Sequence, residues 1–291
     1  MSKILFIGDI VGKPGRKALA QVLPMWKEKY KPDVVIANTE NLAHGKGVTP
    51  STLTEIDALG IDCFTGGNHS FDKEDQVKDS FEKFPKLIRP ANLSGNFEGY
   101  GYYRFSKDVA QGLALPSKQA TGLHYSEDQK IVNQQFLVIN LHGTVFCEKF
   151  FDGKLTNPFL EVDKLLAQEA QKGDIIFVDF HAEATSEKKT MGYYLDGRVS
   201  AVVGTHTHVP TADAHILKKG TAYISDVGMT GSRDSALGVK FDNALKKFLD
   251  PNEKFKNEME EEDVLQVNGV LIEVGEDQKA VKIEKLYQEI K

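Results

Sequence analysis

Lys3-Ile4-Leu5-Phe6-Ile7-Gly8-Asp9 opens the chain with a short apolar run that stops on a glycine and a carboxylate. A run of this length, bounded by a turn signal, reads as a strand buried on both faces. Working outward, Lys13 to Tyr30 carries Ala18, Leu19, Val22, Leu23 and Trp26 at helical spacing, with Pro24 predicting a kink. Val34 to Ala37 is a second strand, Ser51 to Leu59 a helix opened by a capping residue, and Ile61 to Thr65 a third strand. This βαβαβ alternation implies parallel strands covered by helices, with ligands bound where the carboxyl ends of the strands open into loops. Asp9, Glu40 and Asn68 fall at those ends.

Further along, Phe136 to Asn140 and Asp174 to Phe180 read as strands around a helix from Phe159 to Gln171, and a second sheet begins there. Ala222 to Ser225, Val264 to Val274 and Ala280 to Tyr287 read as closing strands, the last two as a hairpin. Between them, residues 106–135 are rich in Gly, Ser, Gln and Lys and are expected to form an irregular surface insertion in one unit spanning 1–291.

The apolar run Val199 to Val203 leads into Gly204-Thr205-His206-Thr207-His208. Side chains two apart on a strand share a face, so both imidazoles are expected to enter one pocket. Their Cα atoms would lie about 6.6 Å apart, and paired metals in hydrolases sit ~3.5–4 Å apart, so each imidazole can serve its own ion. Partners are available in Gly8-Asp9, Asn38-Thr39-Glu40-Asn41, Gly67-Asn68-His69 and Asp179-Phe180-His181. Taken alone, the His-x-His pair is as well explained by two hydrogen-bonded loop histidines; five ligand-bearing segments together favour a dinuclear site. Asp72 reads as the cap of a helix over Lys73 to Phe81 in preference to a partner for His69. His142 has no place in the ligand inventory, His124 and His215 read as surface residues, and Asn92 as a turn or a pocket wall.

Composition bounds the function. The chain has 291 residues, 41% hydrophobic and 27% charged, with a formal charge of −6. That balance argues against a broad nucleic-acid surface built on phosphate neutralisation. Cys63 and Cys147 stand far apart among apolar residues and read as buried thiols in a reducing compartment. Four apolar residues after Met1-Ser2-Lys3 are too few for a signal-peptide core, and no stretch approaches a membrane span, so a cytoplasmic location with no membrane partner is expected. Gly8 to Lys13 lacks the spacing of a phosphate loop, and Glu258 to Asp263 reads as a solvated acidic patch.

In the order Gly-Asp, Glu-Asn, Gly-Asn-His, His and Gly-Thr-His-Thr-His, the strand-end residues resemble the calcineurin-like metallophosphoesterase superfamily. The blocks from Phe6 to Arg16, Glu40 to Gly47, Asp179 to Lys188 and Val199 to Asp213 resemble its bacterial YmdB-like branch. The resemblance weakens near 106–135 and beyond about Lys240. Ile10-Val11 follow Asp9 where most of the superfamily has Asp-x-His, and Glu40 stands where most have a bridging Asp. The branch fills the missing coordination with an Asn beside the Glu, and Asn41 matches it.

The resemblance implies an α/β fold, a four-layer αββα sandwich of two mixed sheets with helices outside. It also implies a ligand set: one ion on Asp9, Glu40, Asn41 and His208, the other on Glu40, Asn68, His181 and His206, with Glu40 spanning the pair. Two such ions can hold a hydroxide between them at neutral pH, and that hydroxide is the expected nucleophile. His69, beside Asn68, is the expected general acid for the departing alkoxide. The branch suggests iron, with manganese or magnesium as substitutes; mixed oxygen and imidazole donors without thiolates suit zinc less well. The expected substrate is a small cyclic nucleotide, 2′,3′-cyclic in preference to 3′,5′-cyclic. The alternatives are a nuclease or phosphodiesterase acting on RNA ends, and a regulatory binding protein that keeps the metal site. A homo-oligomer stays open.

Overall fold

The strands form where the apolar runs stand, and each run divides its side chains between two cores. A computed structural model describes residues 1–111, 130–147, 149–250, 258–261 and 264–291 of the chain. Strands β1 (Ser2–Ile7), β2 (Val34–Asn38) and β3 (Cys63–Thr65) are parallel neighbours, joined through helices α1 (Gly12–Tyr30) and α2 (Pro50–Asp57). Helix α1 runs unbroken past Pro24, and α2 opens on a capping box between Thr49 and Thr52. Helix α3 (Val77–Lys83) begins four residues later than the expected Lys73. The correction has a local cause: Asp72 caps no helix and instead meets the His69 imidazole.

The second sheet follows the order β4-β5-β6-β7-β9-β8. Its members are β4 (Tyr102–Gln111), β5 (Lys130–His142), β6 (Ile175–His181), β7 (Ala201–Thr205), β8 (His215–Ile216) and β9 (Ala222–Ile224). Strands β5, β6, β7 and β9 are parallel, with β4 and β8 antiparallel at the edges. The irregular stretch is therefore narrower than expected: residues 106–111 and 130–135 pair in the β4-β5 hairpin, and 112–129 lie outside the described residues. Polar residues on both faces of this projecting hairpin hid its strand character. Strands β10 (Gly231–Ser232), β11 (Leu265–Val274) and β12 (Ala280–Ile290) return to the first sheet, where β11 pairs antiparallel with β1, β10 and β12.

Alternation then sets the layers. From β1 and β2, Leu5, Ile7, Val35 and Ala37 face α1 and α2, packing on Leu19, Leu23, Trp26 and Leu53. Ile4, Phe6, Val34 and Ile36 face the second sheet, meeting Val138, Phe177 and Val203. On that sheet's far side, Ile176, Val178 and Phe180 pack on Val162 of α4 (Pro158–Glu169) and Met191 of α5 (Thr185–Leu195). Three cores between four layers make an αββα sandwich. Helix α6 (Phe241–Leu249) buries none of its residues. Among the described residues no helix is long and apolar enough to cross a membrane.

Phe6 and Phe177 meet between the sheets with ring centroids 5.3 Å apart, both essentially inaccessible. Phe177→Ala is expected to cost about 3–5 kcal/mol. Urea unfolding of the variant and the wild type measures it.

Candidate metal centre

Parallel strands in both sheets deliver their carboxyl ends to one edge of the sandwich, and hydrogen bonds across the sheets hold those ends together. Asp179, on β6 and fully buried, accepts from Thr65 Oγ1 of β3, from Asn38 Nδ2 of β2 at 3.1 Å, and from Thr205 Oγ1 of β7 at 2.7 Å. Burial pushes its carboxyl up to about 6 even though the two threonine hydroxyls pull the other way.

Directly above this carboxylate lie the expected ligands. His181 Nε2 stands 3.0 Å from Asn68 Oδ1, 3.0 Å from His206 Nδ1 and 3.3 Å from Glu40 Oε1. Glu40, His181 and His206 offer donor atoms all within 4.8 Å of one another. Asn41 Nδ2 lies 3.0 Å from the same Glu40 Oε1 and 3.4 Å from His208 Nε2. An amide flip presents the Asn41 oxygen to the same place. Asp9 Oδ2 accepts from the His206 backbone N–H at 3.2 Å, and Asp9 Oδ1 is buried with no hydrogen-bond partner. Thus Glu40 Oε1 meets both Asn41, which adjoins His208, and His181, which adjoins Asn68 and His206, while Asp9 Oδ1 lies 3.9 Å from His181 Nδ1.

Each histidine has one nitrogen tied and one turned to the cluster. His181 Nδ1 pairs with Thr205 Oγ1 at 2.9 Å, His206 Nε2 with Glu183 Oε2 at 3.0 Å, and His208 Nδ1 with the Leu237 carbonyl at 3.3 Å. Outer partners of this kind fix the tautomer and aim of a metal-binding imidazole. The cluster's charges interact strongly. Burial acts to raise Glu40, yet the neighbouring His181 holds it well below the usual carboxylate range. Burial acts to lower His181, but the Glu40 and Asp9 carboxylates push it up to about 9. Burial dominates at Asp9, which is raised, and at His206, which falls to about 2.

One expectation needs correcting. His206 and His208 do not extend a strand: β7 ends at Thr205, and the two residues take φ of 106° and 65°. Left-handed backbone costs L-residues about 1–2 kcal/mol each. The loop is held in it by Asp9 on the His206 N–H, by Asp226 Oδ2 on the Thr207 N–H at 3.0 Å, and by Met229 N donating to the His208 carbonyl. Asp226 in turn pairs with Lys188 at 2.7 Å, both buried. Glu183, Asp179, Thr205 and the Lys188–Asp226 pair were not assigned roles from the sequence. Their signal was faint: Asp179 is a charge inside an apolar strand and Lys188 one on a buried helix face, while Glu183, Thr205 and Asp226 carry no local mark.

The other candidates fall as follows. His69 is partly exposed at the rim; its N–H donates to Glu40 Oε2 at 2.9 Å and its Nδ1 lies 2.8 Å from Asp72 Oδ2. His142 is buried beside His181, donates Nδ1–H to the Gly143 carbonyl, and is pushed down to about 3 by burial. Asn92 is buried, and its amide clamps the backbone of His142 and Thr156. His44 and His215 are exposed, and His124 lies outside the described residues.

A family model described as YmdB-like protein matches residues 5–117 and 113–286. The chain belongs to the YmdB-like family. A 2′,3′-cyclic-nucleotide 2′-phosphodiesterase of Bacillus subtilis is 42% identical over 285 residues, covering 98% of this chain and 96% of that protein. The crystal structure of a phosphatase of Mycoplasma pneumoniae superposes with a TM-score of 0.82 at 31% identity, covering 99% of this chain and 93% of that one. A calcineurin-like phosphoesterase of Bacillus subtilis shares the fold at a TM-score of 0.54 and 12% identity, over 99% of this chain and 90% of that one. The YmdB-like centre thus sits in a metallophosphoesterase fold, and its donor chemistry fits divalent metal ions: carboxylates, amide oxygens and imidazoles around a buried orphan oxygen.

Two predictions test this arrangement. A Cβ on Gly67 would lie 2.2 Å from Glu40 Oε2 and 2.5 Å from His181 Nε2, so Gly67→Ala is expected to keep its circular dichroism and lose bound metal by elemental analysis. Asp213 anchors the end of the histidine loop. Burial raises its carboxyl, but hydrogen bonds from Ser225 and Thr211 bring it down to about 2 from the ordinary 3.8. A depressed folded value means this stabilisation is full above about pH 4 and is lost as pH falls toward 2. Thermal unfolding should therefore show a gap between wild type and Asp213→Asn that closes over that window.

Proposed function

We propose that this chain is a two-metal phosphodiesterase that opens 2′,3′-cyclic nucleotides, with iron as the resident metal and manganese or magnesium able to replace it. The observation carrying the reading is Glu40, a buried carboxylate whose Oε1 meets both Asn41, beside His208, and His181, beside Asn68 and His206, at the joint edge of both sheets. Asp9, Glu40, Asn41 and His208 would hold one ion, and Glu40, Asn68, His181 and His206 the other. Bound there, two divalent ions supply an activated water at neutral pH and neutralise the nonbridging phosphate oxygens. The relative's name supports the cyclic substrate and the 2′ bond.

The protein's own groups then have defined tasks. A P–O bond forms to the water oxygen, the P–O2′ bond breaks, and the phosphate stays on O3′. Oxygen O2′ leaves as an alkoxide and needs a proton. His69 would give it: Asp72 occupies Nδ1, which leaves Nε2 for the substrate, and the His69 backbone N–H bond to Glu40 ties the loop to the centre. Burial of Asp9, Glu40, Asn68 and His181 keeps competing water away from their donors. A reducing, cytoplasmic setting agrees with two buried cysteines. The charge of −6 favours a small phosphodiester over RNA.

Metal-loaded protein assayed against 2′,3′-cyclic, 3′,5′-cyclic and oligonucleotide diesters is expected to turn over the 2′,3′-cyclic compounds fastest. His69→Ala should keep its metals and lose at least ~10²-fold in kcat. Metal-bound wild type inactive on every diester would defeat the enzymatic reading, and unchanged turnover in the variant would remove His69 from the mechanism.

A further inference from the structure

Beyond His206 the rim of the centre is aromatic. Phe150 stands edge-on to His206 with ring centroids 6.4 Å apart, and to His142 at 5.9 Å. It is half-buried, whereas His142 is fully enclosed. Phe150 opens a tight turn in which Phe151, Asp152 and Gly153 take φ of 56°, 51° and 73°. Side-chain-bearing residues resist this left-handed conformation. It persists where surrounding packing over-determines it, and such sites cluster at ligand clamps. The packing here falls on Phe151, whose ring meets His142 at 5.5 Å, Phe71 at 6.0 Å and Phe97 at 6.1 Å, all edge-on. Phe71 lies two residues beyond His69, so this aromatic chain links the proposed acid's loop to the metal-side histidines. Phe151 is the anchor that sets the turn, and the turn leaves Phe150 at the mouth of the site.

We propose that Phe150 is the stacking platform for the nucleobase of a nucleoside cyclic phosphate bound at the centre. The inference rests on the two-metal reading above. In a 2′,3′-cyclic nucleotide the base leaves the ribose at C1′, the carbon adjacent to the one bearing O2′. The base must therefore lie beside the phosphate, and among the described residues Phe150 is the half-buried aromatic ring against a residue of the donor set. Stacking on a phenyl face accepts any base, because every base has a π face. The Lys149 ammonium, 5.6 Å from the Phe150 centroid, forms an exposed cation–π contact weak enough for a base to displace.

The test is steady-state kinetics of metal-loaded wild type, Phe150→Ala and Phe150→Trp on 2′,3′-cyclic AMP, 2′,3′-cyclic UMP and methyl riboside 2′,3′-cyclic phosphate, which has the same diester and no base. Phe150→Ala is expected to raise KM for both nucleotides roughly tenfold. The Trp variant should restore it, and the base-free diester should be hydrolysed equally by all three proteins, which also reports intact folding and metal loading. Equal losses on nucleotide and base-free diester, or unchanged KM for the nucleotides, would overturn the platform. Wild type inactive on every cyclic phosphate would overturn the two-metal reading instead. In that case calorimetric titration with 3′-AMP and ribose 3-phosphate decides the platform: a roughly tenfold weaker Kd in Phe150→Ala for the nucleotide alone supports it, and no difference rejects it.

Discussion

The Asp179 carboxylate is the constraint on which the centre depends. It is the point where four strands from two sheets are joined by side chains: Asn38 and Thr65 reach it from the first sheet, and Thr205 from its own. A carboxylate stripped of water is costly unless its oxygens are filled with donors, and here three converge on it. Asn38 also donates to the Gly66 carbonyl and accepts from the Glu40 N–H, so the same small network sets the course of the β2 and β3 loops. Remove that joint and the sheets could still pack through Phe6 and Phe177, but of the polar ties between their ends only single bonds such as Gly66 N–H to Asn140 and His206 N–H to Asp9 would hold their spacing. Thr205 extends the network upward by accepting from His181, which passes the position of a buried carboxylate to an imidazole of the centre.

How much of this was legible in the sequence follows from which physics each feature uses. The first sheet could be read because β1, β2 and β3 are buried runs separated by two helices, a pattern set by local periodicity. The strand-end donors could be read because short motifs after strands fall at one edge of any parallel sheet. What stayed hidden depends on contacts between distant residues. The pairing of Asp72 with His69 competes with capping, and sequence position alone tips toward the cap; the fold places the imidazole 2.8 Å away and the helix starts later. The β4-β5 hairpin was obscured because polar residues on both of its faces erase the period-two pattern. The His-x-His pair was correctly placed at the end of a strand and wrongly given strand geometry, since nothing local announces φ of 106° at a histidine.

That last difference shapes the chemistry. On a strand, the two imidazoles would leave in parallel and their separation would be set by the backbone repeat. In the observed turn, His206 points its Nδ1 at His181 while His208 swings its Nε2 toward Asn41. The left-handed residues are what divide the pair between two donor groups. Strain of this sort survives only if neighbours enforce it. Asp9 and Asp226 do so by accepting successive N–H groups of the loop.

Asp226 must stay fixed for this to work, and its partner explains how. A buried ion pair is weak evidence for added stability, because desolvating both charges offsets their attraction. The Lys188–Asp226 pair is better understood as positional. Lys188 arrives from α5 on one layer and Asp226 from the loop after β9, so the pair locks the histidine turn against the outer helix. Asp226 uses its remaining capacity on the Thr207 and Gly228 N–H groups. Removing Lys188 would leave a carboxylate buried without its cation, and the least costly relief is for the loop to open toward water. The same helix carries Glu187, which holds the Thr144 and Val145 N–H groups at the start of the loop leading to Phe150. Glu187 and Lys188, adjacent on α5, therefore set the turn that aims the metal-side histidines and the start of the loop that bears the aromatic rim, which couples the place where phosphate would bind to the place where a base would stack.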